Sequence, residues 1–187
     1  YIMIPSGGTL TGELSVPDGY ILSKNNSSYF AGIPLYELTY SDGTTKQFAD
    51  ISGKVDTSVT QIKLLDDVTK GMSFDPRNTA PGLVLDLGGH TIGGSSSQTS
   101  ATLSIYQSMT IKNGTVAYNG TLSDPPSLHN SAILLSGSDT TLTIAEDAVI
   151  SGGKGYGIYG SGGTLIVNGT VTSEGDATIT GNGNNDT

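Results

Sequence analysis

Apolar and polar residues alternate along most of this chain in short runs, and nowhere do apolar positions recur at the three-to-four spacing of an amphipathic helix. In "GLVLDLGGHTIGG" (82–94), Leu83, Leu85 and Leu87 interleave with Val84, Asp86 and Gly88. The same form returns in "TLSIYQSMTIKNG" (102–114), in "TLTIAEDAVISGG" (141–153) and, with an insertion, in "TLIVNGTVTSEGDATITGNG" (164–183). Each is an alternating run, a polar break, a second run and glycine. Alternation sends successive side chains to opposite faces, so each run predicts a strand with one buried face. The leading leucines at 83, 103, 142 and 165 are 20, 39 and 23 residues apart, and the long interval leaves room for a further turn through "SAILLSGS" (131–138). Intervals of this size are those of solenoid units.

"NGT" at 113, 119 and 168 is the strongest hairpin signal in the chain and admits an antiparallel sandwich. In a solenoid the same Asn and Gly sit at corners, where positive φ turns the chain without a hairpin. Repetition in register favours the solenoid, because sandwich strands have no need to resemble one another. Residues 1–56 differ in texture: "TLTGELSV" alternates, "IPLYELTY" follows, "SDGT" makes a turn and "TKQFADI" returns antiparallel. The expectation is an all-β chain, with a small β region or cap over 1–56 and parallel β-helix repeats over 57–187. A cap is needed because the first coil otherwise leaves a backbone edge and a core end open.

"IKLLDDVTKGMSFD", then "LVLDLGGHTIGG" and "MTIKNGTV", resemble the opening coils of right-handed parallel β-helix (pectin-lyase-like) regions of large bacterial cell-surface and adhesin-type proteins. The resemblance covers about residues 61–116 well and 131–183 in general style. It implies a right-handed coil and an extracellular, surface-attached setting. It implies no single activity, since the fold houses polysaccharide lyases, hydrolases, phage tailspikes and non-catalytic adhesins alike. The lyases need a carboxylate cluster for Ca²⁺ and an Arg or Lys base, whereas the one arginine here, Arg77, lies in the loop "DPRNTAPG". Of the hydrolase elements only an Asp-Asp pair is present. The catalytic residues of the family therefore do not carry over, and the expectation is a protein that is not an enzyme and uses no cofactor.

Composition agrees with strands and turns: 27 glycines, no Trp, no Cys, and 13% charged residues. A net charge of −9 repels a phosphate backbone, which argues against nucleic acid, and no apolar run is long enough to cross a bilayer. Without cysteine there is neither a disulfide framework nor a thiolate metal site. The chain begins at Tyr1 without a leader and ends in "TGNGNNDT", which reads as a segment of a longer protein.

Candidate chemistry is sparse. Alternation puts Asp86 on the outer face as a solvated residue, with His90 at the corner beyond Gly88 and Gly89, and two ligands are too few for a metal. Asp66 and Asp67, like Glu146 and Asp147, read as charged breaks between strands. His129 and His90 have no nucleophile elbow beside them. "SGGKGYGIYGSGG" (151–163) lacks the Gly-Lys-Ser/Thr of a phosphate loop, and ladder stacking is the ordinary use of its Tyr156 and Tyr159. Tyr rings on a groove face can instead hold the C–H face of a sugar. Asp86, Tyr106, Tyr118, Tyr156 and Tyr159 are accordingly the candidate glycan-binding residues, with no catalytic or metal residue assigned. The expected partners are host or cell-wall glycans and, through open solenoid ends, further copies of the chain. The function expected is structural or adhesive, with a polysaccharide-binding or -cleaving module and a filament subunit as alternatives.

Overall fold

The computed structural model describes residues 2–3, 16–25, 28–94, 100–120, 130–174 and 178–181. Most of "TLTGELSV" and His129 lie outside the described residues. Among the described residues the chain is all-β, in four sheets and nineteen strands. β1 (Ile2–Met3), β2 (Ile21–Asn25) and β3 (Ser28–Gly32) form an antiparallel sheet with β3 central. β4 (Tyr36–Tyr40) and β5 (Thr45–Phe48) form the hairpin that "SDGT" predicts, and β4 pairs antiparallel with β6 (Val59–Leu64).

From β7 onward the chain visits three sheets in fixed rotation, and every strand pairs parallel with its neighbours. β7 (Met72–Phe74) is followed by β8 (Leu83–Asp86) and β9 (Thr91–Gly93), then by β10 (Leu103–Ile105), β11 (Met109–Lys112) and β12 (Gly114–Ala117). β13 (Ser131–Leu135), β14 (Thr141–Ile144), β15 (Ala148–Ser151) and β16 (Tyr156–Gly160) continue the round, and β17 (Thr164–Val167), β18 (Thr170–Thr172) and β19 (Ile179–Gly181) end it. A seven-stranded sheet runs β17-β14-β11-β8-β6-β4-β5, a five-stranded sheet β19-β16-β13-β10-β7 and a four-stranded sheet β18-β15-β12-β9.

The register places like on like. Ile62, Leu85, Ile111, Ile144 and Val167 form one column, at intervals of 23, 26, 33 and 23 residues. Met72, Leu103, Ile133, Ile158 and Ile179 form a second, and Ile92, Val116, Ile150 and Val171 a third. The three columns meet in one core, in which Leu85, Ile111, Leu103 and Ile92 have no exposed surface. Each such Leu or Ile removes enough apolar surface from water to stabilise the fold by about 1.5–3 kcal/mol.

Two expectations about the repeat are corrected. Leu103 does not stack with Leu83; it belongs to the five-stranded sheet, and the partners in line with Leu83 are Met109, Leu142 and Leu165. "SAILLSGS" is one side of a turn, β13, and not a turn of its own. All three sides use the same short alternating run, so period-two alternation cannot tell which side a run belongs to. The Asn-Gly pairs at 113 and 168 join strands of different sheets and so close corners, not hairpins. Asn113 takes φ +58, the one non-glycine residue with positive φ among those described.

At its start the stack is closed unevenly. β4 and β5 extend the seven-stranded sheet, and Ile51, from the loop after β5, packs into the core end. Val68 bridges Ile92 and lies along β9. The five-stranded sheet simply ends at β7.

Candidate functional site

Asp86 ends β8, and cross-strand register sets it in an outward row: Gln47, Glu37, Lys63, Asp86, Lys112. Charges alternate from Glu37 to Lys112, the arrangement that makes directly opposed pairs attractive. The row also corrects the expectation for Asp86. Its side chain does point away from the core, but only 12% of it is exposed. Lys112 Nζ stands 3.3 Å from Oδ2, while Oδ1 accepts the Gly88 N–H at 2.9 Å and the Asn113 side-chain amide at 3.1 Å. Burial works against its charged form, yet the Gly88, Asn113 and Lys112 donors outweigh burial and hold the carboxyl below its usual range. A carboxylate so occupied braces the corner and has little capacity left for a sugar or a proton.

His90 faces a different carboxylate. Its Nδ1 is 3.8 Å from Asp67 Oδ1, and that oxygen accepts the Thr91 N–H at 2.8 Å. Asp67, expected as a solvated charge in a strand break, is indeed exposed but ties one turn to the corner of the next.

The tyrosines divide. Tyr118 is buried, 2% exposed, with its hydroxyl accepting the Asn130 side-chain amide at 2.7 Å, so its ring offers no face to a ligand. Tyr106, just after β10, is exposed. Tyr156 and Tyr159 are half-buried on β16, with ring centroids 5.9 Å apart and planes tilted by 51°. That contact lies within one strand and not between turns. The structure thus sets Tyr156 and Tyr159 on β16 and Tyr106 just past the end of β10 in the same sheet, leaves Asp86 apart from them, and buries Tyr118 against Gly155 beside Tyr156.

A feature invisible in the sequence lies at the start of the stack. A cleft of about 510 Å³ opens between β7 and the loop over residues 50–56. Tyr36, Ile51, Val55, Met72 and Phe74 supply its apolar lining, and Asp50, Asp56 and Lys70 its charges. Lys70 Nζ is 3.5 Å from Asp50 and donates to Ser52 Oγ at 2.7 Å. Burial opposes the Asp50 charge, but the Ser52 N–H and hydroxyl and the Lys70 ammonium together keep its carboxyl below the usual range. Burial, with the Asp50 charge beside it, pushes the Tyr36 phenol up to about 12. The residues come from β4, the loop after β5, and β7 with the residues flanking it, whose separation in sequence conceals their meeting. A short "MSF" strand flanked by Lys-Gly was the one local signal.

Among the described residues no three of His, Cys, Asp and Glu stand close enough to hold a metal ion. No protein-family model, no curated protein and no solved structure matches this chain.

Proposed function

We propose that the chain is a right-handed parallel β-helix module, serving as a structural and adhesive part of an extracellular bacterial surface protein and not as an enzyme. The observation that carries this reading is the register: three apolar columns run through successive turns, so that each turn rests on the last, which supports reading the module as a rigid rod. Such a rod supports an adhesive surface without needing a catalytic pocket. The carboxylates support the same reading. Asp42, Asp50 and Asp56 each receive the N–H and hydroxyl of the Thr or Ser two residues on, Asp75 holds Arg77, and Asp86 braces a corner.

The binding surface proposed lies along the five-stranded sheet, where exposed Tyr106 and half-buried Tyr156 and Tyr159 are the rings available to host or cell-wall glycans. A glycan-array screen of the purified chain, with and without Ca²⁺, tests it. Binding is expected without new reducing or unsaturated sugar ends, and to weaken in Tyr106→Ala and Tyr159→Ala. Turnover of any bound glycan would overturn the non-enzymatic reading. A silent array would leave a stalk, or a subunit stacking end to end, as the function; light scattering over a concentration series separates those two.

A further inference from the structure

We propose that the free edge of β7 takes up an extended segment of a partner protein by strand addition, in the cleft facing the 50–56 loop, and that the segment alternates apolar residues and carries basic ones. β7 has one strand neighbour, β10. The Met72 N–H donates to the Thr102 carbonyl at 2.9 Å, and the Phe74 carbonyl accepts the Tyr106 N–H at 3.0 Å. In a parallel ladder each residue sends both backbone groups to one side, and successive residues alternate sides. Gly71 and Ser73 therefore turn their N–H and C=O away from β10 and toward the cleft they line. Pairing stops at Asp75, whose carbonyl is taken by the Asn78 and Thr79 N–H groups at 2.9 and 3.0 Å.

Open edges are normally blocked by charge, proline, a bulge or a covering segment. At this end of the stack β5 carries Lys46 and β9 is covered by Val68, whereas β7 is Met-Ser-Phe with nothing paired beyond it among the described residues. The cleft falls within the roughly 300–1,000 Å³ of ligand sites. Its opposite wall offers half-buried Val55 to every second side chain of an added strand. The charge of the partner follows from what is left over. Lys70 is committed to Asp50 and Ser52, so Asp56 remains as an uncompensated carboxylate at the cleft, on a chain of net charge −9. A cationic segment is attracted and an acidic one repelled.

This inference rests on the edge and the cleft alone and is independent of the glycan reading. The probe is a fluorescein-labelled peptide alternating Val with Lys and Thr (KVTVKVT), followed by anisotropy on the full chain. Binding is expected to weaken by about tenfold or more when the lysines become Glu, and likewise in Ser73→Pro, which removes the N–H facing the cleft while leaving the β10 pairing in place. Val55→Asp, in the opposite wall, gives the same loss without touching the strand, and thermal unfolding of both variants checks that they are folded. Slowed amide exchange at Ser73 on binding locates the peptide. No saturable binding up to about 1 mM, or binding unchanged in both variants, overturns the proposal. So does concentration-dependent self-association that Ser73→Pro abolishes, which would make the occupant a second copy of the chain.

Discussion

Asp86 and Tyr36 show how burial and hydrogen bonding set opposite directions for two buried acids. The Asp86 carboxyl is held below its usual range, so the unfolded chain takes up its proton first as pH falls. Its contribution is fully present above about pH 4 and is lost as pH drops further through the folded value. Asp86→Asn should lower the melting temperature at pH 7 and flatten its decline below about pH 4, read by circular dichroism across a pH series. Removing the acceptor outright in Asp86→Ala, which loses the charged hydrogen bonds from Gly88, Asn113 and Lys112, should cost about 1–3 kcal/mol in denaturant unfolding. Tyr36 runs the other way. With its phenol raised to about 12, stability is complete below about pH 10 and is lost as pH rises toward 12, because the unfolded chain ionises first. Tyr36→Phe should abolish that part of the alkaline loss. At this scale the sequence was half legible. Alternation correctly turned Asp86 outward, but it carries no information on the Lys112 and Asn113 side chains that cover it, since they arrive a whole turn later in the chain.

Corners are the elements on which the architecture depends. At Asn113 the chain leaves β11 for β12 in the left-handed region, and its carbonyl accepts the Gly89 N–H at 2.8 Å from the corner below. A β-branched residue there meets its own carbonyl, at a cost of about 1–2 kcal/mol. Asn113→Val should therefore destabilise by at least that amount in denaturant unfolding, while Asn113→Gly, which keeps the backbone but loses the bond to Asp86, should cost less. Gly88 is a second such position. Its φ is +60, and an added Cβ would stand 2.5 Å from the Leu64 carbonyl. The Asn-Gly motif was legible as a turn, yet its kind was not: hairpin and corner demand the same residues, and which one forms depends on where the next strand finds its partner. The phase error at Leu103 has the same origin.

Across the whole molecule the three columns predict a gradient. Ile111 lies between neighbours above and below and is fully buried, whereas Val167, in the same column at the last turn, is 39% exposed. Ile111→Ala should cost about 2–5 kcal/mol and Val167→Ala less than about 1, and native-state hydrogen exchange should slow from β17–β19 toward β8 and β11. The sequence by itself determined that this is an all-β chain of short alternating strands and glycine-rich corners with one apolar face, because alternation and turn chemistry are local properties of the backbone. Only the tertiary structure decided which run lies on which sheet, that Asp86 and Tyr118 are covered while Tyr106, Tyr156 and Tyr159 share one sheet, and that β7 borders a cleft. Those facts depend on residues brought together by stacking across intervals of twenty or more positions, and no local pattern encodes what a turn will meet when the next one is laid over it.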